Sequence, residues 1–149
     1  MKHNFFCLAT LTALLTACGQ STQTSEQQAS TPTAPTTECF AYTTAQDTVT
    51  LSLMTNGSAV TGHLVYRLAA KDSNVGTIQG EMRGDTLFAD YTFMSEGMQS
   101  VREVAFLRTN DGLTEGYGKL GERSGKVVFE NHRALTFGSL KLKKTTCPD

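Results

Sequence analysis

The chain contains no tryptophan and only 3 prolines, and its charges nearly cancel: 13 Lys and Arg against 14 Asp and Glu across 149 residues. Near neutrality excludes a nucleic-acid binder that works by bulk electrostatics, because such binding needs a surplus of cations to displace counterions from phosphates. No apolar run reaches the ~20 residues that a spanning helix requires, which excludes a polytopic helical membrane protein. The 4 cysteines are too few and too widely spaced for a multi-bridge scaffold or a zinc ribbon. The histidines, His3, His63 and His132, stand alone, with no H-x-H and no C-x-x-C, so no metal site is expected. G-x-S-x-G, H-E-x-x-H and P-loop patterns are all missing. The sequence thus offers no enzyme class and implies no cofactor.

What is present begins with an address. Met1-Lys2-His3 is a short positive start, and Phe5 to Ala17 is apolar or small without a charge. That is the layout of a secretory signal. Leu15-Thr16-Ala17-Cys18 resembles the lipobox of bacterial lipoproteins. The resemblance implies cleavage after residue 17, lipidation of the Cys18 thiol and a bilayer anchor made of several acyl chains, where a single chain would be marginal. Gly19, where an Asp would signal inner-membrane retention, points to the outer membrane, on its periplasmic face rather than the cell surface. Residues 18–37 then form the lipidated Cys and a spacer of Thr, Ser, Gln and Pro, with no Val, Ile, Leu or aromatic residue. Such a composition buries too little surface to offset ordering entropy and reads as a disordered tether.

Residues 38–149 read as a single all-β domain. Val49, Leu51 and Leu53 alternate with polar residues, and Asn56-Gly57 then gives a strong hairpin signal. Leu64, Tyr66 and Leu68 share one face of the next segment, and Leu87, Ala89, Tyr91 and Phe93 share one face of another. Turn signals recur at Lys71–Asn74, Gly84-Asp85, Ser95-Glu96-Gly97 and Asn110–Gly112. Weaker strands are expected at Val127–Glu130, Ala134–Phe137 and Leu140–Leu142, with Lys141, Lys143 and Lys144 outward. Lys119–Ser124 reads as a long loop or a helical turn. About eight short strands joined by tight turns predict an antiparallel meander that closes into a small barrel, with a two-sheet sandwich as the rival. If Cys7 leaves with the signal and Cys18 carries lipid, Cys39 and Cys147 remain to staple the first strand to the last. Free thiols or an intermolecular bridge are the alternatives.

The plan resembles small bacterial lipoproteins in which a lipocalin- or avidin-like barrel follows a lipobox and spacer. Within it, K-D-x-N-x-G-T-x-x-G from Lys71, G-D-x-L-x-A-x-Y-x-F-x-S-E-G from Gly84 and S-x-R-E-V-x-F from Ser100 resemble a motif of uncharacterised envelope lipoproteins. That resemblance implies a fold and no chemistry. The densest polar constellation runs from Asp90 to Glu103, and Glu96 is expected to face Arg102 across a hairpin. The candidate ligand or partner site comprises Tyr66, Tyr91, Glu96, Arg102, Glu103 and Tyr117, with Arg102 gripping an anionic ligand at a barrel mouth and Glu96 or Glu103 orienting it. Asp90 with Glu115 is a second candidate pair, for acid–base work.

Three functions compete. The first is a non-enzymatic, membrane-anchored envelope lipoprotein that binds a small or lipidic ligand in its barrel. The second is a protein–protein interaction or inhibitor module of the cell envelope. The third is a hydrolase, which needs two carboxylates converging in a cleft. An internal cavity above about 300 Å³ would favour the first, and a filled core the second.

Overall fold

Alternation gives each segment one dry face, and the dry faces have to meet. The computed structural model describes residues 34–69, 71 and 73–148. The expected signal segment, Cys18 and most of the spacer lie outside the described residues. The strands are β1 (Thr36–Thr43), β2 (Thr48–Asn56), β3 (Ala59–Arg67), β4 (Asn74–Arg83), β5 (Thr86–Ser95), β6 (Met98–Thr109), β7 (Gly112–Tyr117), β8 (Leu120–Arg123), β9 (Lys126–Phe129) and β10 (Thr136–Thr145). A short 3-10 turn, His132–Ala134, precedes β10.

Eight of these strands form a ring. Each of β1 to β6 pairs antiparallel with the next, β7 pairs with β10, and β10 returns to β1. The closing β5–β6 pair runs in unbroken register from Thr86↔Leu107 to Ser95↔Met98, so the sheet is a closed barrel and not a sandwich. Closure removes the unpaired edges that a sandwich would expose. The Cys39–Cys147 disulfide is formed, with Cα atoms 5.1 Å apart. It lies beside the Cys39↔Thr145 pairing of β1 with β10 and joins the first strand to the last, as expected.

Several local expectations change. β1 starts at Thr36, ahead of the expected domain start at Glu38, because Thr36 and Thr37 extend the pairing to Thr55 and Met54. The segment read as a loop or helical turn contains β8, which forms a hairpin with β9. Ser124 and Gly125, both at positive φ, make its turn. This hairpin joins the edge of β6 that β7 leaves unpaired, through one parallel bridge, Arg102↔Val127. The two weak strands near the C-terminus are one strand, β10, whose register shifts between Phe137 and Lys141. Lys141, Lys143 and Lys144 are all exposed, and Lys144 also bonds Glu38 Oε1 at 2.8 Å.

Side chains fill the middle of the barrel. Phe40, Leu51, Leu64, Ile78, Leu87 and Phe106 are almost completely buried there. An eight-stranded barrel has an interior just wide enough for such filling or for one small ligand. The two ends differ. One carries the start of β1, the disulfide and the Asn56-Gly57, Gly84-Asp85 and β6–β7 turns. The other carries the β1–β2 and β3–β4 loops and the Glu96-Gly97 turn, and it receives the polar inward residues described next.

Candidate functional site

On β6 the inward positions are Ser100, Arg102, Val104, Phe106 and Arg108, the alternate residues facing the dry positions of β5. Arg102 therefore points into the barrel near its open end. Its register partner is Tyr91. The guanidinium carbon sits 5.0 Å from the Tyr66 ring centre, 5.5 Å from that of Tyr91 and 5.7 Å from that of Phe93. Tyr91 and Phe93 stack at 4.7 Å, which gives the cation a continuous π surface. Gly76 opposite them is required by this packing: a Cβ there would lie 2.8 Å from the Tyr91 ring and 2.1 Å from the Thr92 carbonyl oxygen.

Glu115 faces the same space from β7 and is 6% exposed. The Tyr66 hydroxyl donates to its Oε1 at 2.6 Å, across the barrel from β3, and the Tyr117 hydroxyl donates to Oε2 at 2.8 Å. The Tyr66 bond ties opposite walls of the barrel together, while Tyr117, two residues along β7, holds the second oxygen of the carboxylate. Burial, reinforced by Glu115, holds the Tyr66 and Tyr117 phenols above their ordinary ionisation range. Burial likewise pushes Tyr91 up to about 12, against the pull of Arg102. Among the described residues two buried polar atoms, Tyr91 Oη and Arg102 Nε, have no hydrogen-bond partner. Among the described residues no carboxylate forms an ion pair with Arg102.

Tyr66, Arg102, Glu115 and Tyr117 line a cavity of about 220 Å³ at the barrel mouth, walled also by Leu68, Lys71 and Leu140. Three grooves are larger, two of about 350 Å³ over the outward faces of β2–β4 and β4–β6 and one of about 270 Å³ beside Cys39, Thr50, His63 and Thr145. The mouth is the better candidate because an inward cation and a buried carboxylate converge there.

The structure brings together four of the six expected site residues: Tyr66, Tyr91, Arg102 and Tyr117. Glu96 does not face Arg102. It occupies the turn with φ 50°, beyond the Ser95↔Met98 pair, while Tyr91 takes the position opposite Arg102. Glu103 points outward because its neighbour Arg102 points inward. One of its oxygens accepts from Phe129 N and the other bonds His132 Nε2, both at 2.9 Å, so Glu103 holds the β8–β9 excursion to the barrel. Asp90 and Glu115 do not converge either. Asp90 is on the outer wall, bonded to Lys126, and Glu115 is inside. His63 is exposed on the outer face, and among the described residues no cluster of three metal-ligating side chains occurs.

The sequence reading placed Glu115 in the wrong partnership and passed over Leu68, Lys71 and Leu140 as site walls. The signal for Glu115 was the two-residue period itself, since Leu113, Glu115 and Tyr117 share a face. A carboxylate on a dry face demands a partner.

No family model, curated protein or solved structure matches the chain.

Proposed function

We propose that this chain is an outer-membrane lipoprotein, anchored in the bilayer through acylated Cys18, whose barrel binds a small ligand at its open end without catalysing a reaction. The anchoring half rests on the lipobox Leu15-Thr16-Ala17-Cys18. The binding half rests on one observation: Arg102 and the Tyr66–Glu115–Tyr117 bridge converge on a walled cavity in an otherwise filled barrel. Its volume of about 220 Å³ is below the ~300 Å³ lower bound of drug-sized sites and suits a short molecule, or one end of a longer lipidic one. The mouth opens at the end opposite the start of β1.

Each half has its own test. Cys18→Ser is expected to abolish incorporation of labelled palmitate and to release the protein into the soluble fraction. Retention in the membrane would remove the anchor. For binding, the protein purified in detergent is screened by native mass spectrometry against small compounds of positive, negative and zero charge. Hits are expected in the unaltered protein and not in Leu140→Trp, which fills the cavity. A screen without hits would refute the binding reading.

A second reading, an interaction module of the cell envelope, is favoured by two exposed methionines. Met94 and Met98 are 55% and 72% exposed at the β5–β6 tip beside the mouth, where a water-facing turn gains nothing from apolar side chains. Loss of a cross-linked envelope partner on Met94→Ser/Met98→Ser, with small-molecule binding intact, would support it.

A further inference from the structure

We propose that the ligand of the mouth is a small monocarboxylate with a short apolar body, its carboxylate seated on the Arg102 guanidinium. This rests on the ligand-binding reading above and assigns the chemical class that reading leaves open.

The first argument is the state of Arg102. Three aromatic faces hold its plane. Its Nε is buried without a hydrogen-bond acceptor, and among the described residues it has no ion-pair partner. Guanidinium charge is the kind that proteins place against carboxylates, because its forked donors match two oxygens at once. Here the fork is oriented by the rings, while no carboxylate among the described residues pairs with it.

The second argument is why Glu115 does not fill that role. Both of its oxygens accept phenol protons, from Tyr66 and from Tyr117. The same bonds spend the phenol protons, so the tyrosines present their rings and lone pairs to the cavity. An anionic group entering the mouth finds its donors on Arg102 and, at the rim, on Lys71.

The third argument is charge and size. Among the described wall residues, Arg102 and Lys71 against Glu115 leave one formal positive charge. One negative charge neutralises it, whereas a phosphate dianion overshoots beside the Glu115 carboxylate. Leu68 and Leu140 form apolar wall, and the volume of about 220 Å³ limits the body to a few carbons.

The test uses the protein in detergent and isothermal titration with hexanoate, its neutral isostere hexanamide and inorganic phosphate. Hexanoate is expected to bind about tenfold or more tightly than hexanamide, the margin of a charge-assisted bond over a neutral one. Phosphate is expected to bind more weakly than hexanoate. Arg102→Met is expected to abolish the preference for the acid over the amide, and Leu140→Trp to abolish binding of both. The acid–amide comparison is made on the unaltered protein, so it decides the matter even if Arg102→Met does not fold. Equal binding of acid and amide would overturn the carboxylate assignment while leaving the ligand-binding reading standing. Tighter binding of phosphate would overturn it in favour of a phosphoryl ligand, and hexanoate binding that survives Leu140→Trp would place the acid elsewhere. Only the absence of binding by every charge class in the wider screen would bring down both readings together.

Discussion

Arg102 and Arg108 stand on the same strand, face the same interior and are separated by three alternations, yet the barrel treats them oppositely. At the closed end Arg108 donates to Glu38 Oε2 at 2.9 Å, and Lys144 bonds the other oxygen of the same carboxylate at 2.8 Å. Each charge there has an answering charge, and the disulfide lies one residue along β1. At the open end Arg102 is answered by aromatic faces, and the nearby carboxylate is committed to two phenols. The comparison teaches that an inward arginine is not by itself a sign of function. The informative feature is an inward arginine whose neighbours position it without neutralising it, since burial of an uncompensated charge costs free energy that folding alone does not recover.

The largest expected effect comes from cutting the staple at the closed end. The bridged cysteines are 108 residues apart in sequence, and closing so long a loop is worth about 4–5 kcal/mol in the chain-entropy model. The Cys39→Ser/Cys147→Ser double variant should lose most of that in urea denaturation. A loss below about 1 kcal/mol would mean that the ring of strand pairs already restricts the unfolded chain, and that the two ends differ less than their chemistry implies.

The next effect separates the two arginines directly. Arg108→Met leaves Glu38 with Lys144 alone and should cost about 1–2 kcal/mol. The lower part of the usual range applies because the Arg108 side chain is 35% exposed and partly screened. Arg102→Met removes a donor with no acceptor at Nε and no ion-paired carboxylate among the described residues, so its cost should be within about 1 kcal/mol of zero. The two variants are compared by urea midpoint at constant slope. Equal losses would show that Arg102 is a structural residue like Arg108, and the case for a ligand would lose its main support.

Much of this architecture was legible beforehand because strands and turns are local. The alternation through Leu87–Phe93 and the Asn56-Gly57 and Glu96-Gly97 turns correspond to real elements, and the two domain cysteines lie where first and last strands meet. The misses share a cause. β8 was hidden because Leu120–Arg123 is short and mostly exposed, so no dry face produced an alternation. The Glu38 partner of the exposed Lys144 was not legible, because the two residues lie at opposite ends of the domain sequence. Glu96 and Glu103 were grouped with Arg102 by closeness along the chain. Parity sends Glu103 outward, and the turn carries Glu96 past the end of the pairing. Sequence distance is a poor guide to a site in a barrel, where residues facing one another across the interior, such as Tyr66 and Glu115, come from strands that do not touch.

The smallest effect is a matter of pH, and it sharpens the contrast between the ends without removing a contact at neutral pH. Arg108 foremost, and then Lys144, hold the Glu38 carboxyl below its ordinary value of 4.5. The folded state therefore binds fewer protons at Glu38 than the unfolded state does in this range. The stabilisation is fully present above pH 4.5 and is lost as the pH falls through the depressed folded value. Thermal melts of the unaltered protein and of Glu38→Gln, taken between about pH 2.5 and 6, should converge toward the acid end, because the variant has nothing at that site left to protonate. Arg102→Met, changed at the opposite end and paired with no carboxylate, should run parallel to the unaltered protein over the same range. If Glu38→Gln also ran parallel, the closed-end ion cluster would contribute no pH-dependent stability, and the distinction between a neutralised end and an unneutralised one would be lost.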